Sequence, residues 1–160
     1  MARPTYLSMA VTTPGGRLEL LRGGPAQEFT IILRNGNTRV YEHLLPVFQM
    51  EILVDAVPAA ERPAQDGFVL ERWDRATGTW RAEPLRIAND VPDYSAYGGG
   101  RALARDAVRA ERYRLRALES GPVGSTPLMV SVVDTDAPAG ASLQRVRPAY
   151  ASLPHATRRS

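Results

Sequence analysis

Short alternating runs of apolar and polar residues, separated by Pro/Gly-rich breaks, dominate this chain and predict an all-β fold. Residues 5–12 alternate Tyr6, Ser8 and Ala10 against Leu7, Met9 and Val11, which predicts an N-terminal strand or arm ended by Pro14-Gly15-Gly16. Leu18, Leu20 and Leu21 predict a short strand before Gly23-Gly24-Pro25. In residues 28–34, Phe29, Ile31 and Leu33 share one face and form the clearest core strand; Asn35-Gly36-Asn37 then turns the chain. A longer extended stretch covers residues 39–54, bent or interrupted at Pro46, and residues 57–66 are a Pro/Ala-rich connection.

Residues 68–85 read as a β-hairpin. Asp74 can accept backbone N–H bonds from residues just after it, and Gly78 can take the positive φ that closes such a loop. Trp73 and Trp80 then face each other across the ladder. Residues 86–100 read as irregular. Residues 102–118 have a helix-favouring composition, but Arg112, Arg114 and Arg116 alternate strictly with Tyr113, Leu115 and Ala117. Period outranks propensity here, so residues 109–118 are predicted as a strand. Pro127 opens a last strand over residues 128–133.

About seven strands separated by turn signals predict an all-β sandwich with Greek-key connections. Residues 1–14 form an N-terminal arm or strand, and residues 135–160 an extended C-terminal tail. That tail opens on linker-like residues 136–142 and has no periodicity. Ordering it costs about 1–2 kcal/mol per backbone residue, so the tail is expected to be held by a neighbouring subunit.

Composition narrows the classes. The chain has 160 residues and no cysteine, so one domain without disulfides or thiolate metal sites is expected. All 20 basic residues are arginine, which fits GC-rich coding better than a structural need. The net charge of +3 is scattered or paired with acids, which disfavours nucleic acid as a partner. No apolar run approaches the ~20 residues of a membrane span. The first residues lack the apolar core of a secretory signal, so the chain is expected to act where it is made, to leave by lysis, or to be numbered as a mature chain.

Candidate chemistry is sparse. His43 has no nucleophile-elbow sequence to partner it, and His43 and His155 lack zinc spacing without cysteine. Asp90, Asp93, Asp134 and Asp136 suit turn and strand-end caps better than a calcium loop. Glu51, Glu71 and Glu83 could supply a glycosidase pair, but acids on exposed strand faces are the plainer account. Gly98-Gly99-Gly100 predicts a flexible loop, with Tyr94 and Tyr97 beside it as a binding lip or as packing. The arginine stripe 112, 114 and 116 can pair with Glu71 and Glu83 on neighbouring strands or meet an acidic partner.

Residues 28–35, the Trp73/Trp80 hairpin, and Leu103-Ala104-Arg105-Asp106 followed by Tyr113-Arg114-Leu115-Arg116 resemble immunoglobulin-like domains of actinobacterial surface and secreted proteins. The sequence departs from them at Arg105-Asp106, where a Pro-Gly turn would sit, and in the export signal. The resemblance covers roughly residues 15–134 and implies an immunoglobulin-like β-sandwich used for display or adhesion, with no catalytic residue to carry over. Taken together, these features predict a non-enzymatic structural or accessory subunit of a larger assembly, such as a decoration or tail protein of an actinobacterial phage virion. It would be located in the virion, or in the cytoplasm before release. Protein subunits, in a homo-oligomer or shell lattice, are the expected partners, and no membrane, cofactor or metal is expected. Tyr6, Leu7, Tyr94, Tyr97, Tyr150, Leu153, Arg158 and Arg159 are the expected partner contacts. The alternative is an extracellular or cell-surface adhesion module that binds glycan or protein through residues 94–100.

Overall fold

The structure, a computed structural model, describes residues 7–36, 40–53 and 67–159. Two five-stranded sheets face each other. The first has the order β1 (Leu7–Thr12), β3 (Gln27–Asn35), β9 (Val108–Ala117), β5 (Phe68–Asp74), β6 (Thr79–Glu83). The second runs β12 (Ala149–Leu153), β11 (Leu128–Asp134), β4 (Tyr41–Met50). The far edge of β4 is shared by β8 (Arg101–Leu103) and β7 (Leu85–Ile87). Taking β1, β3, β4, β5, β9, β11 and β12 in chain order as A to G gives A-B-E-D against G-F-C, the strand arrangement of an immunoglobulin-like sandwich. The expected fold class holds.

Pleat alternation builds the core. Phe29 and Tyr113 stack at 5.5 Å from the first sheet, and Phe48 of β4 meets Tyr113 at 4.9 Å from the second. Ile31, Leu33, Leu70, Leu115, Val130 and Val132 fill the space around them, all at most 2% exposed. The Trp73/Trp80 hairpin forms as the turn chemistry predicts. Asp74 accepts from the Ala76 N–H at 2.9 Å, Gly78 sits at φ 66°, and the rings meet edge to face at 5.4 Å. The stretch whose propensity favoured a helix is strand β9, paired on both sides.

Several expectations are corrected. The strands number thirteen among the described residues, because short ones fill the loops. Pro46 does not interrupt β4. It lies between the β8 ladder, which ends at Leu44, and the β7 ladder, which starts at Phe48, so its missing N–H falls where that edge carries no pairing. Of the two readings of the N-terminal segment, arm or strand, residues 7–12 take the strand, and they belong to the sandwich as the edge of the first sheet, in register with residues 30–35.

The largest correction concerns residues 135–160. After helix α1 (Leu143–Val146), β12 adds to β11 as an edge strand. Beyond Pro154, β13 (His155–Arg158) runs parallel to β2 (Leu18–Leu21) and antiparallel to β10 (Gly124–Ser125) in a small third sheet. Ala149 and Leu153 of β12 and His155, Ala156 and Thr157 of β13 are buried. The segment meets its ordering cost with main-chain pairing and small buried side chains from its own chain.

A tyrosine–arginine depression on the second sheet

The outer face of the second sheet is not flat. Its outward residues Val47 and Val133 pack under Val146 of α1, with Leu45, Tyr94, Tyr97, Ala137 and Ala141 around them, a small second core outside the sandwich. Ser142 caps α1 by accepting from the Arg145 N–H, and the Arg145 guanidinium pairs with buried Asp134. Those contacts fix the helix and aim the residue that follows it, Arg147, across the sheet.

The opposite wall is the segment between β7 and β8. Gln49 of β4 donates to the Ala88 and Asp90 carbonyls at 3.0 and 2.9 Å, while Asn89 accepts from the Ile52 N–H at 2.9 Å. Arg86 ties the Gln49 amide oxygen to the Asp90 carbonyl and carboxylate. Asp93 caps a single 3-10 turn (Tyr94–Ala96), accepting from the Ser95 N–H and hydroxyl. The Thr135 hydroxyl donates to the Gly99 carbonyl at 2.6 Å, and Gly100 sits at φ 107° against the Leu44 backbone. The glycine run, expected to be flexible, is therefore tied down at two of its three residues.

Between these walls lies a depression of about 390 Å³, floored by Val47, Gln49, Met129 and Ser131. Arg147 spans it. Its guanidinium carbon lies 5.4 Å from the Tyr94 ring and 4.7 Å from the Tyr150 ring. Its Nη1 donates to the Tyr94 hydroxyl at 3.2 Å, and that hydroxyl lies 3.4 Å from the Ser131 hydroxyl. The Arg147 Nε is buried and has no hydrogen-bond acceptor. Val91 and Tyr150 project at the rim, 78% and 47% exposed.

Of the residues expected to touch a partner, the structure brings Tyr94 and Tyr150 together here, with Tyr97 packed beneath. Leu7 and Leu153 are corrected: both are buried in the main core, where the alternation of edge strands β1 and β12 points them. Arg158 and Arg159 are exposed at the far end, and Arg158 lies 3.7 Å from Glu19. Tyr6 lies outside the described residues. Arg147 went unnoticed in the sequence because nothing local marks Arg-Val-Arg-Pro as part of a site.

The histidines take separate places. His43 is exposed and pairs with Asp136 at 2.9 Å, a contact that raises its pKa. His155 is buried between the Thr126 carbonyl and the Thr157 hydroxyl, and burial lowers its pKa. Arg114 pairs with Glu71 at 2.9 Å as one reading of the stripe held, but Arg112 pairs with Glu28, and Glu83 goes to Arg72. Among the described residues no group of three His, Cys, Asp or Glu side chains is placed to hold a metal ion, and no helix is long and apolar enough to cross a membrane.

No known family model matches this sequence, and no curated protein matches it. Solved structures do share its shape. A family 123 glycoside hydrolase from Clostridium perfringens matches with a TM-score of 0.51 and 6% identity over 96% of this chain, which spans only 27% of that enzyme. AvmM, which catalyses macrocyclization in alchivemycin A biosynthesis, matches with a TM-score of 0.50 and 14% identity, covering 93% of this chain and 83% of that one. PapD-like domain 7 of human CEP192 matches with a TM-score of 0.40 and 8% identity, too distant to carry an argument. At these identities the likeness bears on the fold alone.

Proposed function

We propose that this chain is a non-enzymatic accessory subunit of a larger protein assembly, and that it docks a partner protein on the Tyr94–Arg147–Tyr150 face. The observation that carries this reading is the pairing of exposed Val91 and Tyr150 with an arginine held between two tyrosine rings. Tyrosine and arginine are the side chains that dominate binding energy at protein interfaces, when a partly apolar rim excludes water around them. Instead of reaching outward as a docking arm, as expected, the C-terminal segment supplies Arg147 and Tyr150 to this face, and residues 7–12 pair into the first sheet.

A second reading keeps the same face but gives it a glycan, as in a surface adhesion module. The concavity favours it, since Gln49, Asn89 and Ser131 ring the floor with polar groups beside two aromatic rings. A photo-crosslinking residue at position 150, compared with one at position 10 on the opposite sheet, separates these readings. The expected outcome is a discrete protein adduct from position 150 alone. Tyr94→Ala should weaken that association by about 1–2 kcal/mol, roughly 5–30-fold. A folded Tyr94→Ala/Tyr150→Ala chain that still joins its native assembly unchanged would sink both readings. A glycan-array signal lost in Tyr94→Ala would select the second. Capsid and tail genes flanking this one would make the assembly a virion; cell-envelope genes would make it a bacterial surface.

A further inference from the structure

β9 is the middle strand of the first sheet, yet part of one of its edges is unpaired. It lies between β3 and β5. β3 follows it from Leu115 back to Val108, whereas β5 leaves after Arg72↔Tyr113 and runs on with β6 to Asp74↔Thr79. The bonding pattern identifies the groups left open. The Asn35 N–H donates to the Ala107 carbonyl at 2.9 Å and the Asp106 N–H to the Asn35 carbonyl at 2.8 Å. On the other edge, the Leu118 N–H donates to the Gly67 carbonyl at 2.7 Å. Alternation along an antiparallel ladder then gives the odd residues of β9 to β3 and turns the N–H and C=O of Val108, Ala110 and Arg112 toward the β5 side. Among the described residues no strand pairs with Val108 or Ala110 on that side.

The opening is a cleft of about 550 Å³, with Ala110 on its β9 side and Ala76 on the hairpin tip opposite. Its charge is unbalanced: five arginines line it against two carboxylates, and both carboxylates are in use. Asp74 accepts from Arg81 at 2.7 Å, and Glu111 is shared by Arg101 and Arg109. Arg72 and Arg112 pair with Glu83 and Glu28, and Arg75 stands exposed at the hairpin tip. One carboxylate between Arg101 and Arg109 leaves a net positive charge where the odd residues of β9 point inward. The outward side is small and apolar. Ala10, Ile32 and Ala110 form one row across β1, β3 and β9 beside Val108, with Ile32 38% and Val108 52% exposed.

We infer that this cleft takes an extended acidic segment of a partner protein as an added strand along the open edge of β9. The N–H and C=O of Val108 and Ala110 supply main-chain pairing, and the alternation of side chains supplies selectivity. Carboxylates at alternate positions turn inward toward Arg101 and Arg109, and apolar side chains between them turn outward beside Ala110 and Ile32. The site is independent of the Tyr94–Arg147–Tyr150 face, which lies on the other sheet.

The isotope-labelled full chain would be titrated with the capped peptide Ac-Glu-Val-Glu-Val-Glu-NH2 and followed by amide NMR, with Ac-Lys-Val-Lys-Val-Lys-NH2 as the charge-reversed probe. Saturable shifts at the Val108, Ala110 and Arg112 amides are expected, with the lysine peptide bound about ten-fold more weakly. Ala110→Pro removes an N–H that β3 does not use, so the variant should fold and bind the acidic peptide about ten-fold more weakly. N-methylation of both peptide valines makes the same test from the other partner, whether or not that variant folds. Arg101→Ala should weaken binding about three-fold. No saturable shift up to about 5 mM peptide, equal binding of the two peptides, or an N-methylated peptide that binds as well as its parent would overturn the inference.

Discussion

Arg22 is expected to be the most costly single side chain to remove outside the apolar core. It is 4% exposed. Its Nε and Nη2 donate to the Pro122 carbonyl at 3.0 and 2.6 Å, and Nη1 donates to the Gly67 carbonyl at 2.7 Å, with longer contacts to Leu118 and Ser120. The guanidinium also lies 4.5 Å from the centre of the Phe68 ring. One side chain thus joins the end of β2, the bend after β9 and the start of β5. Hydrogen bonds from a charged donor contribute about 1.5–3 kcal/mol each. The three short ones together are worth roughly 4.5–9 kcal/mol in gross terms. Taking a guanidinium out of water costs several kcal/mol, which offsets much of that. Arg22→Met keeps the stem but leaves the Pro122 carbonyl without either guanidinium donor, so a net loss of about 2–4 kcal/mol is expected. At about 2–4 °C per kcal/mol for a chain of this size, the midpoint should fall by roughly 5–15 °C. Urea unfolding followed by far-UV circular dichroism measures this, with an unchanged m-value showing that the same surface is exposed. Arg22→Lys should recover less than half of the loss, because one ammonium does not span both carbonyls. A loss under 0.5 kcal/mol, or a lysine variant as stable as the parent, would refute the reasoning.

The two histidines should titrate on opposite sides of 6.5 by NMR, His43 above and His155 below, and Asp136→Asn should bring His43 back toward 6.5. For His155 the unfolded chain takes the proton first, so stability should fall as pH drops below about 6.5 and level off below the folded value. The His43–Asp136 contribution has the opposite sense, present below 6.5 and lost as pH rises through the raised folded value. Gly100→Ala should destabilise by about 1–3 kcal/mol, because its positive φ is strained for alanine and a Cβ would lie 2.6 Å from the Leu44 carbonyl oxygen. Gly98→Ala, with open space around it, should be neutral within about 0.5 kcal/mol, both variants being read by the same urea unfolding. Deleting residues 136–160 should leave a chain without a cooperative transition, since it strips β11 of β12 and β2 of β13. A sharp melt after truncation would restore the separate-tail picture.

What was legible in the sequence follows from how local each signal is. The tryptophan hairpin is written in its own turn residues, and β9 in six residues of strict alternation that outweigh a helical composition. The C-terminal strands carry no such mark. Ala-Tyr-Ala-Ser-Leu and His-Ala-Thr-Arg hold small side chains, and β13 finds its register against residues 18–21, more than a hundred positions away. Their pairing is set by the shape of the body they close, which no window of sequence contains. The same holds for the sites. Tyr94 is marked by the glycine loop beside it and Tyr150 by its place in the C-terminal tail, but Arg147 joins them only through α1 packing on Val47 and Val133. Arg22 and Arg109 looked like ordinary surface arginines until the strands around them buried their guanidiniums.

Hydrogen exchange across residues 149–158 tests most directly whether the chain's own end completes the sandwich and its tyrosine–arginine face. In the isolated protein, the amides that bond to β11 and β2 should exchange hours more slowly than free peptide, close to those of β3 and β9. Complete exchange of that segment within seconds, while β3 and β9 stay protected, would contradict the account.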